Sequence, residues 1–259
     1  MSYTQTAKEG FSVAEFEDVF GSLSNVNGWM TKDQAHRLWD RASELRSGQQ
    51  IVEIGSFQGR STVVLASASV LGVGVMAIDP HGGNDRGPQE IQGFVKEAED
   101  DNRIFNANLH NAGVTDRVMH IRKFSDQALH DVPSPGVIHL LYVDGAHRFI
   151  PASNDIKRWG AKVVDGGRLV VHDSFSSIGV TLALSATTFW SSQWTYEGRS
   201  QSMTQFVKGP NTLSQRVRSL GRQLAQLPYF ALNVLYKVLL TAHLKAVAKA
   251  LGSTGEWPY

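Results

Sequence analysis

The 259-residue sequence contains no cysteine, which excludes disulfide bonds, thiolate metal sites and cysteine nucleophiles. Two long stretches, 61–78 and 174–196, lack charged residues, but neither is expected to cross a membrane. Glycines interrupt the first, and the second carries many serine and threonine hydroxyls. The first ten residues contain no apolar run of the kind found in secretory signals. We therefore expect a cytoplasmic protein.

Acidic residues are missing from 198 to 255, although that stretch carries eight lysines and arginines. The rest of the chain holds the other 17 basic residues and all 24 acidic ones, which gives it a formal charge of −7. We expect the acidic body and the basic tail to have different roles.

Hydrophobic residues make up 42% of the sequence and charged residues 19%, which excludes wholesale disorder and indicates a globular protein. The length suits one domain with an appendage. We expect a helical segment that covers the domain over 1–30, the main domain over 31–209, and a basic amphipathic helical tail over 210–259.

Apolar runs alternate with helical patterns through the main domain. Two further strands without a helix between them are expected near 193–197 and 202–207, and Asp165-Gly166-Gly167 is predicted to turn the chain. This order favours an α/β fold with a mostly parallel seven-stranded sheet, a terminal antiparallel hairpin and a C-terminal helical extension. The five predicted parallel strands are 50–55, 73–79, 117–121, 136–144 and 168–173. The helices between them are expected near 60–71, 89–112, 125–129 and 149–163.

The tail has two patterns that suit amphipathic helices. Leucine and valine recur at coiled-coil spacing from Leu213 to Leu227, and a polar stripe from Asn233 to Lys249 marks an otherwise apolar helix. One hypothesis is that the tail packs on the body or on a second subunit, which would give a homodimer. The other is that it lies on an anionic membrane surface, at the inner face of the membrane.

Chemistry is expected at the carboxyl ends of the parallel strands, where open α/β sheets bind their ligands. Gly55 and Gly59 follow the first strand and allow a tight turn into a helix N-terminus. The dinucleotide pattern G-x-G-x-x-G is absent. Asp79 ends the second strand, where an acidic side chain can bind both hydroxyls of a ribose. These features together predict a nucleoside pocket.

Four strand-end motifs resemble those of a known family: EIGSFQGRST at 53–62, AIDP at 77–80, LYVDGAH at 141–147 and DGGRLVVHD at 165–173. The first two are similar to motifs of class I S-adenosylmethionine-dependent methyltransferases. The last two resemble a branch of small O-methyltransferases that includes sugar O-methyltransferases of the macrocin and mycinamicin type. The resemblance covers about residues 25–208 and implies a Rossmann-like, doubly wound fold.

The resemblance also implies how S-adenosylmethionine is bound. Asp79 would hold the ribose with His81 beside it, and Ser125 would contact the adenine. Phe57 stands where many of these enzymes have a glycine, and Trp29 is a candidate either for covering the cofactor or for the core. The methionine part would be bound by Glu53, Gly55, Ser56, Gly59, Ser61 and Asp144.

A divalent metal is implied as well. In the metal-dependent members, residues at the places of Asp144, His172 and Asp173 hold the ion, which predicts Mg²⁺ or Mn²⁺ here. Those enzymes usually have a carboxylate where His172 stands. Imidazole suits Mn²⁺ or Zn²⁺ better than Mg²⁺. The alternative is that no metal binds, that Asp144 orients His147, and that Asp173 donates or accepts a hydrogen bond with the substrate.

The acceptor hydroxyl needs a base, because it is a poor nucleophile while it keeps its proton. Among the nine histidines, only His81, His147 and His172 are predicted at strand ends. His147 is our candidate base, with Asp144 as its catalytic neighbour, since imidazole titrates near neutrality. The alternative for His147 is a polar cap on the following helix.

Three functions remain open at this stage. The first is methylation of a small-molecule hydroxyl, above all on a sugar or on a glycolipid or polysaccharide precursor. The second is methylation of phenolic or catechol hydroxyls. The third is a non-catalytic nucleoside-binding module tethered by the tail. Nucleic acid is not an expected partner, because the body is acidic and lacks an Asn/Asp-Pro-Pro-Tyr base-flipping motif.

Overall fold

The computed structural model describes residues 15–83, 95–132 and 136–254. Seven strands form one sheet: β1 (Gln50–Ile54), β2 (Gly74–Ile78), β3 (Val118–Ile121), β4 (Ile138–Val143), β5 (Val163–Val171), β6 (Trp194–Ser200) and β7 (Met203–Lys208). Their spatial order is β3-β2-β1-β4-β5-β7-β6. Strands β1 to β5 pair in parallel, and β7 runs antiparallel between β5 and β6. This confirms the predicted sheet and its terminal hairpin.

Two cores lie on the two faces of the sheet, because successive strand residues point to opposite sides. Ile51 and Tyr142 belong to one core, and their neighbours Val52 and Leu141 belong to the other. The first core packs against α1 (Phe16–Ser22), α2 (Lys32–Ser43), α3 (Arg60–Ala68) and α4 (Val95–Asn111). The second packs against α5 (Ser125–Ala128), α6 (Phe149–Asn154) and α7 (Ile178–Thr187). Short 3₁₀ turns cover Leu23–Asn25 and Thr115–Arg117.

Helix α2 begins with a capping box. The Thr31 hydroxyl accepts a hydrogen bond from the backbone N–H of Gln34, and the Gln34 side chain accepts one from the N–H of Thr31. These two bonds satisfy amide groups that the first helical turn leaves without a partner. Leu38 and Ala42, four residues apart, lie fully buried on the inner side of the helix.

The structure corrects two predicted boundaries. Strand β5 begins at Val163 rather than at 168, so Asp165-Gly166-Gly167 lies inside the strand instead of forming a turn before it. Gly166 has φ +80°, and the pairing with β4 shifts register in this region, which is the geometry of a bulge. The predicted helix 149–163 is α6 followed by a π-helical turn, Asp155–Trp159. Of the predicted helix 89–112, residues 89–94 lie outside the described residues.

The tail forms three helices, α8 (Leu213–Leu224), α9 (Leu227–Thr241) and α10 (Lys245–Ala250). Helix α8 packs on the terminal hairpin through polar groups. The buried Ser219 hydroxyl accepts a hydrogen bond from the backbone N–H of Tyr196 at 3.0 Å. The buried Gln223 accepts one from the Thr188 hydroxyl at 2.9 Å. The tail is therefore docked on the body of its own chain.

Candidate active site

A cavity of about 1000 Å³ lies at the carboxyl ends of β1, β2, β4 and β5. Its wall includes residues of the loops that follow these four strands, together with Asn27–Met30 from the N-terminal segment. The volume lies at the upper end of the range of about 300–1,000 Å³ that is usual for small-molecule sites. The cavity therefore occupies the edge where the sequence predicts ligand binding.

Gly55 brings the ends of β1 and β4 together. It has φ +85°, and a Cβ atom there would lie 2.1 Å from the carbonyl oxygen of Asp144. No other residue type fits, since both the left-handed conformation and the close backbone approach require glycine. The loop after β1 is therefore held directly beside Asp144.

Asp79 holds that loop from the other side. One carboxylate oxygen accepts hydrogen bonds from the backbone N–H groups of Ser56 at 3.0 Å and Phe57 at 2.9 Å. The other accepts one from the backbone N–H of His81 at 2.8 Å. The carboxylate thus orders the loop while it also lines the cavity.

Phe57 occupies the position at which the resembling enzymes often have glycine, and its φ of +44° explains that preference. Nε2 of His81 donates to the Phe57 carbonyl oxygen at 2.7 Å. The Phe57 ring stacks on Trp29 with centroids 5.4 Å apart. These contacts stabilise Phe57 in its strained backbone conformation. Trp29 lies in the cavity wall, with 51% of its surface exposed, rather than in the core.

Glu53 lies fully buried beneath the loop. Its oxygens accept hydrogen bonds from the hydroxyls of Ser61 and, at 2.5 Å, Thr62. Burial raises the pKa of Glu53 to about 8, although the two hydroxyls act in the opposite direction. The carboxyl group is therefore protonated at neutral pH.

Asp144, His147 and Asp173 come together at the floor of the cavity. Nε2 of His147 lies 2.8 Å from a carboxylate oxygen of Asp173. The Tyr142 hydroxyl donates to Asp144 at 2.8 Å. Asp144, His147 and Asp173 each offer one ligand atom, and these three atoms lie within 4.8 Å of one another. The cluster therefore contains both a carboxylate–histidine pair and a set of metal-type ligands.

His172 lies behind this cluster and is 4% exposed. Its Nδ1 is 3.3 Å from an oxygen of Asp144 and 3.3 Å from one of Asp173. Burial alone would lower the pKa of His172, but the two carboxylates raise it well above its ordinary value. Burial likewise acts to raise the pKa of Asp173, and the two histidines hold it well below its ordinary value. The two carboxylates therefore favour the charged form of the His172 ring.

Backbone strain is concentrated at this edge of the sheet. Six non-glycine residues in the described part of the chain have positive φ, and four of them are Phe57, His81, Asp173 and Phe175. Each such conformation costs on the order of 1–3 kcal/mol and persists only where the surroundings enforce it. Strain of this kind is typical of binding and catalytic sites.

The amino-terminal turn of α7 fixes the backbone of His147. A Cβ at Gly179 would lie 2.1 Å from the His147 carbonyl oxygen, and the Ser177 hydroxyl donates to that same oxygen at 3.3 Å. Since the loop after β4 cannot move toward α7, the position of His147 relative to Asp173 is set by packing.

A family model described as "Methyltransferase domain" matches residues 52–174, the part of the chain that carries all four of these strand ends. This segment is therefore similar to a methyltransferase domain. The match includes the loop after β1, Asp79, His147 and Asp173.

Three solved structures share the fold of the methyltransferase domain. The O-methyltransferase NovP is 15% identical and aligns over 70% of this chain and 83% of its own, with a TM-score of 0.54. A protein from Corynebacterium glutamicum is 12% identical and aligns over 78% and 94%, with a TM-score of 0.57. A SAM-dependent O-methyltransferase from Thermotoga maritima is 16% identical and aligns over 75% and 72%, with a TM-score of 0.50. At these identities the likeness shows a common fold.

Most of the site residues that the sequence predicts line the cavity of the methyltransferase domain. Glu53 and Gly59 do not: Glu53 lies behind Ser61, and Gly59 caps α3 with φ +86°. The predicted residues in the wall are Gly55, Ser56, Ser61, Asp79, His81, Ser125, Asp144, His147, His172 and Asp173.

Asp155 is a site residue that the sequence analysis missed. It lies in the π-helical turn, lines the cavity, and accepts a hydrogen bond of 2.5 Å from the Ser125 hydroxyl. Burial raises its pKa to about 6. The sequence offers little signal for it, because Asp155 stands inside a helical pattern rather than at a strand end. A π-turn, which is frequent at functional sites, becomes visible only in the structure.

Proposed function

We propose that this protein transfers the methyl group of S-adenosylmethionine to a hydroxyl group of a small molecule. The observation that carries the proposal is the His147–Asp173 pair, which lies in the wall of the same cavity as Gly55 and Asp79. A base and a nucleoside pocket in one cavity are what such a transfer requires, whereas a binding module has no need of the base.

The residues present fit the cofactor. Gly55 has no side chain to fill the space at the end of β1. The Asp79 carboxylate lies beside the same loop, bonded to the backbone N–H of Ser56. Among the described residues, Ser56 Oγ and His81 Nδ1 are buried without a hydrogen-bond partner, and both residues line the cavity. A polar ligand satisfies such atoms, which are costly when left unpaired. We assign the methionine part to Ser56 and Ser61, the ribose to Asp79 and the adenine side to Ser125 and Asp155.

His147 removes the proton of the acceptor. The hydroxyl oxygen forms a bond to the methyl carbon as the carbon–sulfur bond of the sulfonium breaks, so the sulfur leaves with the electron pair. The hydroxyl proton passes to the His147 ring, and the ionised Asp173 stabilises the resulting imidazolium. The low pKa of Asp173 keeps its carboxylate charged, so that it can stabilise the imidazolium of His147.

A divalent ion is a second element of the proposal. Asp144, His147 and Asp173 offer two oxygens and one nitrogen at metal-ligand spacing. This donor set suits Mn²⁺ and accepts Mg²⁺. Such an ion acts as a Lewis acid that lowers the pKa of a bound hydroxyl. His147 cannot be a ligand and the base at once, so metal dependence assigns His147 to the ion and metal independence assigns it to the proton.

We propose a carbohydrate as the acceptor, either a free sugar or a sugar of a glycolipid or polysaccharide precursor. The motif resemblance supports this class, and so do Arg148, Asn154 and Arg158, polar residues in the wall that can bind several hydroxyls. Phenolic and catechol hydroxyls are the alternative, supported by Phe124 and Ile150 in the same wall.

A methyl-transfer assay tests the proposal. The purified protein is incubated with labelled S-adenosylmethionine and a panel of sugars and phenols, with and without EDTA. We expect the labelled methyl group in a product that is methylated at a hydroxyl oxygen. The panel member that accepts the methyl group decides between the two acceptor classes. Loss of turnover in EDTA, restored by Mg²⁺ or Mn²⁺, supports the metal; full turnover in EDTA supports the His147 base.

Titration calorimetry tests the cofactor separately. Asp79→Asn should weaken binding of S-adenosylhomocysteine by roughly 1–3 kcal/mol, since the ribose hydroxyls lose a charged acceptor. Asp116→Asn, at an exposed position away from the cavity, is the matched control. If the parent protein binds neither S-adenosylmethionine nor its demethylated product, the proposed function is wrong.

A further inference from the structure

The tail helices bury polar side chains against the body. In α9, Asn233 is 5% exposed, and its amide donates to the backbone carbonyl of Phe175 at 3.0 Å. One turn later, the Lys237 ammonium donates to the carbonyl of Ser176 at 2.9 Å. In α8 the buried residues are Ser219 and Gln223. Phe230 of α9 also packs against the apolar core, so polar and apolar side chains together hold the tail on the body.

The opposite side of α9 is apolar and faces solvent. At about 100° per residue, the positions farthest from Asn233 and Lys237 carry no polar side chain. Six residues on this side are exposed: Leu227, Pro228, Ala231, Leu232, Leu235 and Val238.

The other two tail helices also expose apolar side chains. Helix α8 exposes Leu213, Val217 and Leu224, and the residues around α10 expose Leu244, Val247 and Leu251. We refer to these residues of α8, α9 and α10 together as the apolar tail face. Proteins rarely leave so many large apolar side chains uncovered unless they bind something.

Positive charge accompanies the apolar tail face. Arg218, Lys245 and Lys249 are exposed on α8 and α10, and no acidic residue occurs from 198 to 255. The rest of the chain has a formal charge of −7. This distribution gives the molecule a positive end and a negative end, so an anionic surface attracts the tail and repels the body.

We propose that the apolar tail face binds the surface of a membrane that contains anionic lipids. The apolar side chains enter the boundary between headgroups and acyl chains, and Arg218, Lys245 and Lys249 contact anionic headgroups. A second copy of the chain is a poorer occupant. A two-fold contact places the same patch on both sides, which brings the cations of both copies together without a carboxylate between them.

The tail lies on the membrane rather than crossing it. The stretch Leu213–Thr241 is long and apolar enough to span a bilayer by length and composition alone. However, α8 ends at Leu224 and α9 begins at Leu227. Gln223 and Asn233 bond to the body on either side of this break. A spanning helix would pull these polar groups out of their contacts and into hydrocarbon.

Vesicle flotation tests the proposal with the full-length protein. We expect flotation with vesicles of phosphatidylcholine mixed with phosphatidylglycerol, and little with phosphatidylcholine alone. Leu232→Ser with Leu235→Ser should weaken the binding at least tenfold. Lys245→Gln with Lys249→Gln should weaken it by up to roughly thirtyfold at low salt, at about 1 kcal/mol for each cation. Leu71→Ser, at an exposed apolar position in the turn before β2, is the matched control.

Three outcomes overturn the proposal. The first is no flotation, or equal flotation with neutral vesicles. The second is a dimer in light scattering that Leu232→Ser with Leu235→Ser converts to a monomer, which assigns the face to a second copy. The third is resistance to extraction by high salt and alkaline carbonate, which indicates a spanning helix. Binding of S-adenosylhomocysteine by each variant verifies folding and leaves this test independent of methyl transfer.

Discussion

The side-chain amide of Asn233 in the tail helix α9 donates a hydrogen bond of 3.0 Å to the backbone carbonyl of Phe175. Phe175 has φ +58° and lies two residues after Asp173, which has φ +54°. Lys237 donates to the carbonyl of Ser176 in the same turn. The tail therefore supports the strained turn that orients Asp173 toward His147, and it is structurally coupled to the site.

The first prediction concerns this coupling. Asn233→Ala leaves the Phe175 carbonyl without its partner, which should cost about 1–3 kcal/mol of stability. Because the turn then relaxes, we expect a lower kcat with little change in the KM for S-adenosylmethionine. Thermal unfolding and steady-state kinetics measure the two effects. Thr241→Ala, on the exposed end of the same helix, is the control, and an unchanged kcat in Asn233→Ala would show that the contact is only structural.

The second prediction concerns His147. Its removal in His147→Ala should lower kcat by roughly 10²–10⁴-fold, the usual effect of losing a general base, with cofactor affinity preserved. His36→Ala, an exposed histidine that pairs with Asp40, should leave the rate unchanged. Single-turnover kinetics in EDTA measure the chemical step without metal. A loss of less than tenfold there would assign the proton to another group.

The sheet order and the strand ends could be predicted because they depend on local patterns: apolar runs of strand length, and glycines and acids where the runs end. The hydrogen-bond partners of those residues could not be predicted from the sequence. Asp79 bonds to Ser56 and Phe57, 23 and 22 residues away, and this follows from the packing of two loops. Asp155 joins the cavity through a π-turn that no spacing indicates.

The histidines illustrate the same limit. His147 and His172 both follow strands in the sequence, so their spacing cannot say which of the two is buried. In the structure His172 is buried between Asp144 and Asp173, while His147 extends from the loop that Gly179 of α7 confines. The difference arises from packing between elements distant in sequence.

The third prediction uses that confinement. Gly179→Ala places a Cβ 2.1 Å from the His147 carbonyl oxygen, so either the loop or α7 must move. We expect a large fall in kcat together with a lower melting temperature. Gly221→Ala in α8 is the matched control, because nothing lies within 4 Å of its Cβ and its φ is ordinary. That variant should be neutral or more stable by up to about 1 kcal/mol. Equal behaviour of the two variants would contradict the assigned role of Gly179.

The fourth prediction concerns pH and Glu53. Burial raises the pKa of Glu53 from 4.5 to about 8 in the folded protein. Between these values the folded state binds a proton that the unfolded state has released, so the stability due to this group is complete below pH 4.5 and falls as pH rises through about 8. Glu53→Gln cannot ionise, and its melting temperature relative to the parent should therefore increase from pH 5 to about pH 9.

Bound S-adenosylmethionine should lower the raised pKa of Glu53, because its ammonium and sulfonium charges favour the ionised carboxylate behind Ser61. Binding then releases a proton, and cofactor affinity rises as pH increases toward about 8. Titration calorimetry in buffers of different ionisation enthalpy measures the proton directly, and Glu53→Gln should release none. Glu44→Gln, on the surface at the end of α2, is the control for general charge effects. Proton release that persists in Glu53→Gln would assign the titration to a different group in the cavity, of which Asp155, with a pKa of about 6, is the next to examine.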